Sequence, residues 1–171
     1  MNIVLLGLMG TGKTFLGNQL AARLGYRFVD TDEVIEERQQ RSIPEIFGAE
    51  GEPYFRRLEQ ELTCELTGAD RQVIATGGGL VTNPVNLDLL KQNGFLITLT
   101  APPEVIFERV KSDTHRPLLK VADPLAKIRE LLRERAIFYR QADLIVNTAV
   151  ENAGQLVERV IGELKQRGFI E

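Results

Sequence analysis

Only one cysteine, Cys64, occurs in the chain, which excludes an intramolecular disulfide and a cysteine-based zinc cluster. It lies in a helical pattern between Leu62 and Leu66, so a buried structural thiol is expected rather than a reactive one. A basic excess is missing as well: 21 Lys and Arg against 24 Asp and Glu leave a net charge of −3. That argues against nucleic acid as the main partner, because binding phosphates over a broad surface needs positive charge. Long hydrophobic runs are absent too. No segment approaches the roughly 20 apolar residues of a membrane span. The first apolar run ends after six residues in a glycine loop, unlike the core of a signal peptide. There are no internal repeats, low-complexity tracts or interdomain linkers. These absences leave a single domain over residues 1–171, expected to be cytoplasmic with no membrane partner. A monomer is the expected state, though no sequence feature sets it.

What is present begins at once. Met1-Asn2-Ile3-Val4-Leu5-Leu6 is an apolar run too short for a typical helix. It breaks into Gly7-Leu8-Met9-Gly10-Thr11-Gly12-Lys13-Thr14, which satisfies G-x-x-x-x-G-K-[ST]. Leu16, Leu20 and Leu24 then recur at helical spacing. Strand, glycine loop and helix in this order are the context that a phosphate-binding loop requires. The glycines let backbone amides approach phosphates directly, and the helix that starts near Lys13 aims free N–H groups at the same place. Gly10, Thr11, Gly12, Lys13, Thr14 and Phe15 are therefore candidate ATP contacts. Lys13 supplies a full charge to the β- and γ-phosphates, and the Thr14 hydroxyl is a candidate ligand for Mg²⁺.

Apolar strand candidates at 3–6, 27–30, 73–76, 95–100 and 144–147 alternate with helical patterns. This alternation predicts an α/β fold with a parallel sheet and helices on both faces. Ser42-Ile43-Pro44-Glu45 reads as a capping box that opens a short helix ending near Gly48. Asn93-Gly94 ends another helix, and Asn152 caps the last one, which runs toward Gly168. Residues 112–123 are the least regular stretch and hold His115, Arg116 and Pro117. Such a segment is either a plain connector or a mobile lid.

Three further features carry chemistry. Asp30-Thr31-Asp32 stands at the C-terminal end of the second strand, where parallel sheets bind ligands. These carboxylates can serve magnesium, a substrate hydroxyl, or both; alternatively one caps the following helix, with Asp32 suited to that place. Gly77-Gly78-Gly79 follows the third strand, either as a flexible turn or because a ligand must lie directly on the backbone. Arg56 and Arg57 lie on a helical stretch, where Arg56 has Glu59 and Gln60 at pairing distance along the helix. Arg133, Arg135 and Arg140 surround Ala136-Ile137-Phe138-Tyr139. Arginine is the best fork for a carboxylate or phosphate.

Taken together, these pieces resemble the shikimate kinase family over nearly the whole chain. The resemblance rests on the phosphate loop and on Phe28-Val29-Asp30-Thr31-Asp32. It continues through Arg41-Ser42-Ile43-Pro44-Glu45-Ile46-Phe47, Gly51-Glu52 and Phe55-Arg56-Arg57-Leu58-Glu59. It then takes in Ala75-Thr76-Gly77-Gly78-Gly79, Arg116-Pro117-Leu118-Leu119, and Glu134-Arg135-Ala136 with Tyr139. It implies a P-loop, nucleoside-monophosphate-kinase-like fold: a five-stranded parallel sheet flanked by helices, a substrate-binding region at about 32–60 and a lid at about 112–123. It also implies transfer of the ATP γ-phosphate to the 3-hydroxyl of shikimate, with Mg²⁺. By this resemblance Asp32 binds the ring hydroxyls and is the candidate base. Arg56 and Arg135 hold the shikimate carboxylate, and Gly78 lends its amide to the substrate. Arg116 reaches the transferring phosphate, Asp30 orders magnesium through water, and Arg109 lies by adenine. Lys13, Asp32 and Arg116 form the expected catalytic set. Gluconate or nucleoside monophosphate kinases share the phosphate loop, and a non-catalytic nucleotide-sensing domain can share the fold.

Overall fold

The computed structural model describes residues 1–113 and 117–170. Five strands, β1 (Asn2–Leu6), β2 (Arg27–Asp30), β3 (Gln72–Ala75), β4 (Gly94–Thr100) and β5 (Leu144–Asn147), form one parallel sheet in the order β2-β3-β1-β4-β5. Each strand lies within a residue of its expected position. The first strand in the sequence is the middle of the sheet. Ile3 pairs in register with Val73 on one side and with Phe95 on the other. The chain turns to opposite sides of β1 for its later strands, so the crevice beyond the C-terminal end of β1 is the natural ligand position.

Among the described residues eight helices cover the sheet: α1 (Lys13–Leu24), α2 (Thr31–Gln39), α3 (Ile43–Glu50), α4 (Glu52–Thr67), α5 (Pro84–Gln92), α6 (Pro103–Val110), α7 (Pro124–Tyr139) and α8 (Ala153–Gln166). Side chains alternate along each strand, so the sheet divides the interior into two cores. Ile3, Leu5, Val73, Phe95 and Ile97 face α1 and α8, while Val4, Leu6, Ile74 and Leu96 face the helices that build the site. Helix α8 buries Leu156, Val157, Val160, Ile161 and Leu164 on one stripe. Burying one such side chain contributes about 1.5–3 kcal/mol.

The expected caps are present. Ser42 and Glu45 close a reciprocal capping box on α3, as do Asn152 and Gln155 on α8. Helix α3 runs on past Gly48 to Glu50 and stops at Gly51, whose φ of 82° suits glycine. Two expectations need correction. Asp30, not Asp32, caps α2; its side chain accepts from the backbone N–H groups of Asp32 and Glu33. Cys64 is exposed rather than buried. The inward stripe of α4 is Phe55, Glu59, Leu62, Thr63 and Leu66, and position 64 falls outside it. Leucines at 62 and 66 bracket Cys64 in sequence, but they share a helix face with each other and not with the residue between them. No helix among the described residues is long and apolar enough to cross a membrane.

Candidate active site

The phosphate loop leaves β1 and enters α1 through Gly12, which sits in the left-handed region with φ of 97°. No atom crowds the place of a Cβ at Gly12, so it is this dihedral that calls for glycine. Thr11 is buried, and its hydroxyl donates to the Leu8 carbonyl at 2.7 Å. It braces the loop from beneath rather than lining the cavity. The Lys13 ammonium donates to the carbonyls of Gly7 and Leu8 at 2.8 and 3.0 Å, which folds it over the loop. An arriving phosphate meets a cation already held in place.

One cavity of about 780 Å³ opens beyond the strand ends. It is lined by Gly10, Gly12, Lys13, Thr14, Phe15, Asp30, Asp32, Arg56, Gly77, Gly78, Gly79 and Arg135, most of the residues singled out from the sequence. The Thr14 hydroxyl donates to Asp30 Oδ2 at 3.0 Å. A hydroxyl and a carboxylate side by side are hard oxygen donors of the kind Mg²⁺ prefers. Among the described residues no group of three or more His, Cys, Asp or Glu gathers to hold a metal alone. The pair therefore fits an ion whose remaining ligands are phosphate oxygens and water. Arg109 stands apart from the cavity, donating to the Gly10 carbonyl at 3.1 Å and to the Thr148 hydroxyl and carbonyl at 3.0 Å. It ties the phosphate loop to the end of β5. Arg116 lies outside the described residues.

The run Gly77-Gly78-Gly79 is explained by three side chains that stand on it. A Cβ on Gly77 would lie 2.5 Å from Asp32 Oδ1, one on Gly78 2.9 Å from an Arg135 nitrogen, and one on Gly79 2.6 Å from an Arg56 nitrogen. Substituents under 3.0 Å displace what they meet, so the glycines allow one carboxylate and two guanidinium groups to settle onto the backbone. Arg135 reaches Gly78 from α7 and is only 7% exposed. One turn on, the buried Tyr139 hydroxyl donates to the Gly78 carbonyl at 2.7 Å. Burial raises the Tyr139 pKa, which keeps that donor protonated.

Arg56 is gripped by its own helix. It donates to Glu52 Oε1 at 3.1 and 3.2 Å and to Glu59 Oε2 at 2.6 Å. The spacing suggested a weak surface pair, yet Glu59 is 1% exposed. Its pKa is raised to about 7, chiefly by burial and further by Asp32, with Arg56 and Arg135 pulling it down. Sequence reasoning gave Glu59 no role beyond that pairing. The signal that it faces inward is its place on the stripe with Phe55, Leu62 and Leu66. Phe47, Phe55 and Ile43 add an apolar wall that was also not foreseen. The site thus combines a phosphate cradle, the carboxyl groups of Asp30, Asp32 and Glu59, and two arginines in one pocket, suited to a phosphorylated nucleotide beside a small hydroxylated anion.

Comparison with known proteins places the chain in a family. The family model described as shikimate kinase matches residues 9–165. The shikimate kinase of Pelotomaculum thermopropionicum is 47% identical over 170 residues, covering 99% of both chains. That of Caldanaerobacter subterraneus subsp. tengcongensis is 46% identical, covering 94% of each. A solved structure of shikimate kinase from Acinetobacter baumannii in complex with shikimate superposes with a TM-score of 0.94 at 39% identity, over 98% of this chain and 94% of that one. A gluconokinase from Sinorhizobium meliloti superposes with a TM-score of 0.58 at 14% identity, a likeness of fold alone.

Proposed function

The chain belongs to the shikimate kinase family, and on that premise we propose that its cavity transfers the γ-phosphate of ATP to the 3-hydroxyl of shikimate. The products are shikimate 3-phosphate and ADP, on the route to chorismate and the aromatic amino acids. The observation that carries this reading is the pair Arg56 and Arg135, set against Gly79 and Gly78 in the same cavity as the phosphate loop. Two converging guanidinium groups make a fork for a small carboxylate. Asp32 stands over Gly77 beside them, within the same pocket as Lys13. A gluconate kinase would share the loop, but the combination of Asp32, Arg56 and the triple glycine supports shikimate.

Phosphoryl transfer asks mainly for positioning and charge stabilisation. Arg56 and Arg135 anchor the carboxylate, and the Gly78 amide and Asp32 orient the ring. Asp32 holds the attacking hydroxyl and accepts its proton as the new P–O bond forms. Lys13 and the amides at the start of α1 stabilise charge on the β- and γ-phosphates. Thr14 and Asp30 would hold Mg²⁺, which would supply further neutralisation of phosphate charge. Arg109 borders the adenine. The family pattern adds Arg116 as the cation at the transferring phosphate, in a lid at about 112–123. The reading extends to a monomeric cytoplasmic enzyme whose partners are shikimate and ATP, without nucleic acid or membrane.

The test is ADP release in a coupled assay with shikimate, gluconate and nucleoside monophosphates offered in turn. Strict dependence on shikimate is expected. Turnover on either of the other acceptors, or ATP hydrolysis indifferent to shikimate, would overturn the assignment.

A further inference from the structure

Glu59 is not needed as a ligand in the mechanism above, yet it lies buried at the floor of the substrate site. One oxygen, Oε2, accepts from Arg56 at 2.6 Å. The other, Oε1, has no hydrogen-bond partner among the described residues. Glu59 Oε1 and Asp32 Oδ1 lie 3.2 and 2.5 Å from a single point, the place of a Cβ on Gly77. Two carboxyl groups thus converge on one bare patch of backbone. The charged groups that face Glu59 are Arg56 on its own helix, Asp32 from α2 and Arg135 from α7. Helix α3 meets α4 through Phe47 on Phe55, and the cap of α5 meets it through Asn83 on Gln60, all uncharged.

With every member ionised, Asp32, Glu59, Arg56 and Arg135 sum to zero; Glu52, which also holds Arg56, is 60% exposed and screened by water. The carboxylate of shikimate brings one more negative charge onto the same two arginines. In a buried cluster, an uncompensated charge is costly, and the cheapest remedy is for the most weakly ionised member to take a proton. Resting on the proposed function, we propose that Glu59 is the proton-exchanging group of this site, taking a proton from water onto Oε1 as shikimate binds and returning it on release. Substrate binding is then proton-linked, and Glu59 is a positioning residue that keeps the cluster neutral while Arg56 changes partner. Its carboxyl already titrates near neutrality, at about 7, so the exchange falls within the working pH range.

The size of the effect follows from linkage. If the new anion raises the Glu59 pKa by about one unit, binding at pH 7 takes up roughly 0.4 proton, with less than about 0.1 at pH 5.5 or 9. Shikimate affinity falls by up to about tenfold as pH rises from 6 to 9. The test is titration calorimetry of shikimate in buffers of different ionisation enthalpy across that range, on wild type and Glu59→Gln. The glutamine keeps an acceptor for Arg56 and removes the titration. Uptake peaking near pH 7.5 in wild type and lost in Glu59→Gln, with shikimate still bound, supports the proposal. Binding without proton uptake in wild type overturns it alone, whatever the variant does. Undiminished uptake in Glu59→Gln also overturns it. Absence of any shikimate binding by wild type would instead remove the functional reading on which it rests.

Discussion

Replacing Gly79 by alanine separates the substrate site from the fold. The residue has φ of −97° and ψ of −7°, an ordinary backbone conformation that alanine adopts without strain. Its new methyl group would stand 2.6 and 2.7 Å from the two terminal nitrogens of Arg56 and 2.9 Å from Cζ. Ordinary contact begins at 3.4 Å, so the guanidinium must retreat by roughly 0.8 Å. It is the far end of a flexible side chain, so the move is cheap for stability. It is expensive for recognition, because Arg56 is pinned between Glu52 and Glu59 and a charge-assisted bond near 2.8 Å does not survive such a shift. Losing one bond of that kind costs about 1.5–3 kcal/mol, or roughly a 10- to 150-fold rise in KM for shikimate. The KM for ATP and the melting temperature should stay close to wild type. Steady-state kinetics at saturating ATP, with a thermal melt of the same preparation, measures both. Gly48→Ala is the control: nothing lies within 4 Å of its Cβ position in α3, so it should be neutral or slightly stabilising. A Gly79→Ala enzyme with KM within twofold of wild type would refute the idea that the triple glycine exists to seat these side chains.

Further outcomes follow from the same geometry. Lys13→Met should lower turnover on the order of 10²–10³-fold with the fold intact, because a preorganised cation at developing charge is lost; the coupled ADP assay checks it. Asp32→Asn should depress kcat far more than shikimate affinity, since the carboxamide keeps the shape but cannot accept the hydroxyl proton; calorimetry beside kinetics separates the two. Arg56→Ala and Arg135→Ala should each weaken shikimate binding by roughly 10- to 150-fold and leave ATP binding largely unchanged, again read by calorimetry. Stability should also depend on Glu59. Its pKa is about 7 folded against 4.5 as reference, so the folded state holds the extra proton between those values. The contribution is therefore present below pH 4.5 and is lost as pH rises to 7, on the order of 3 kcal/mol. Urea unfolding at pH 5 and pH 8 should show that fall in wild type and a much smaller one in Glu59→Gln.

Much of this was legible in the residues. The strands follow from apolar runs bounded by turns, and the phosphate loop from its glycines and lysine, because both are local patterns. Asn152 and Ser42 announced their helices for the same reason. What could not be read locally depended on which face a residue presents after packing. Glu59 looked like a surface partner of Arg56 until α4 was laid against the sheet. Cys64 looked buried because its leucine neighbours are. The triple glycine suggested a ligand against the backbone, and the structure fills that space with Asp32, Arg135 and Arg56. Long-range approach of that sort leaves only a compositional trace.

The position of β1 has a consequence for how the molecule comes into being. β1 precedes the other four strands in this sequence, and it needs a neighbour on both sides. Its first neighbour, β3, arrives only with residues 72–75, and its second, β4, with residues 94–100. Until then the nascent chain carries Ile3, Val4, Leu5 and Leu6 unsheltered. Non-local pairing of this kind slows folding and lengthens exposure to aggregation. The nucleotide cradle that follows β1 is accordingly completed only after much of the later chain has been made.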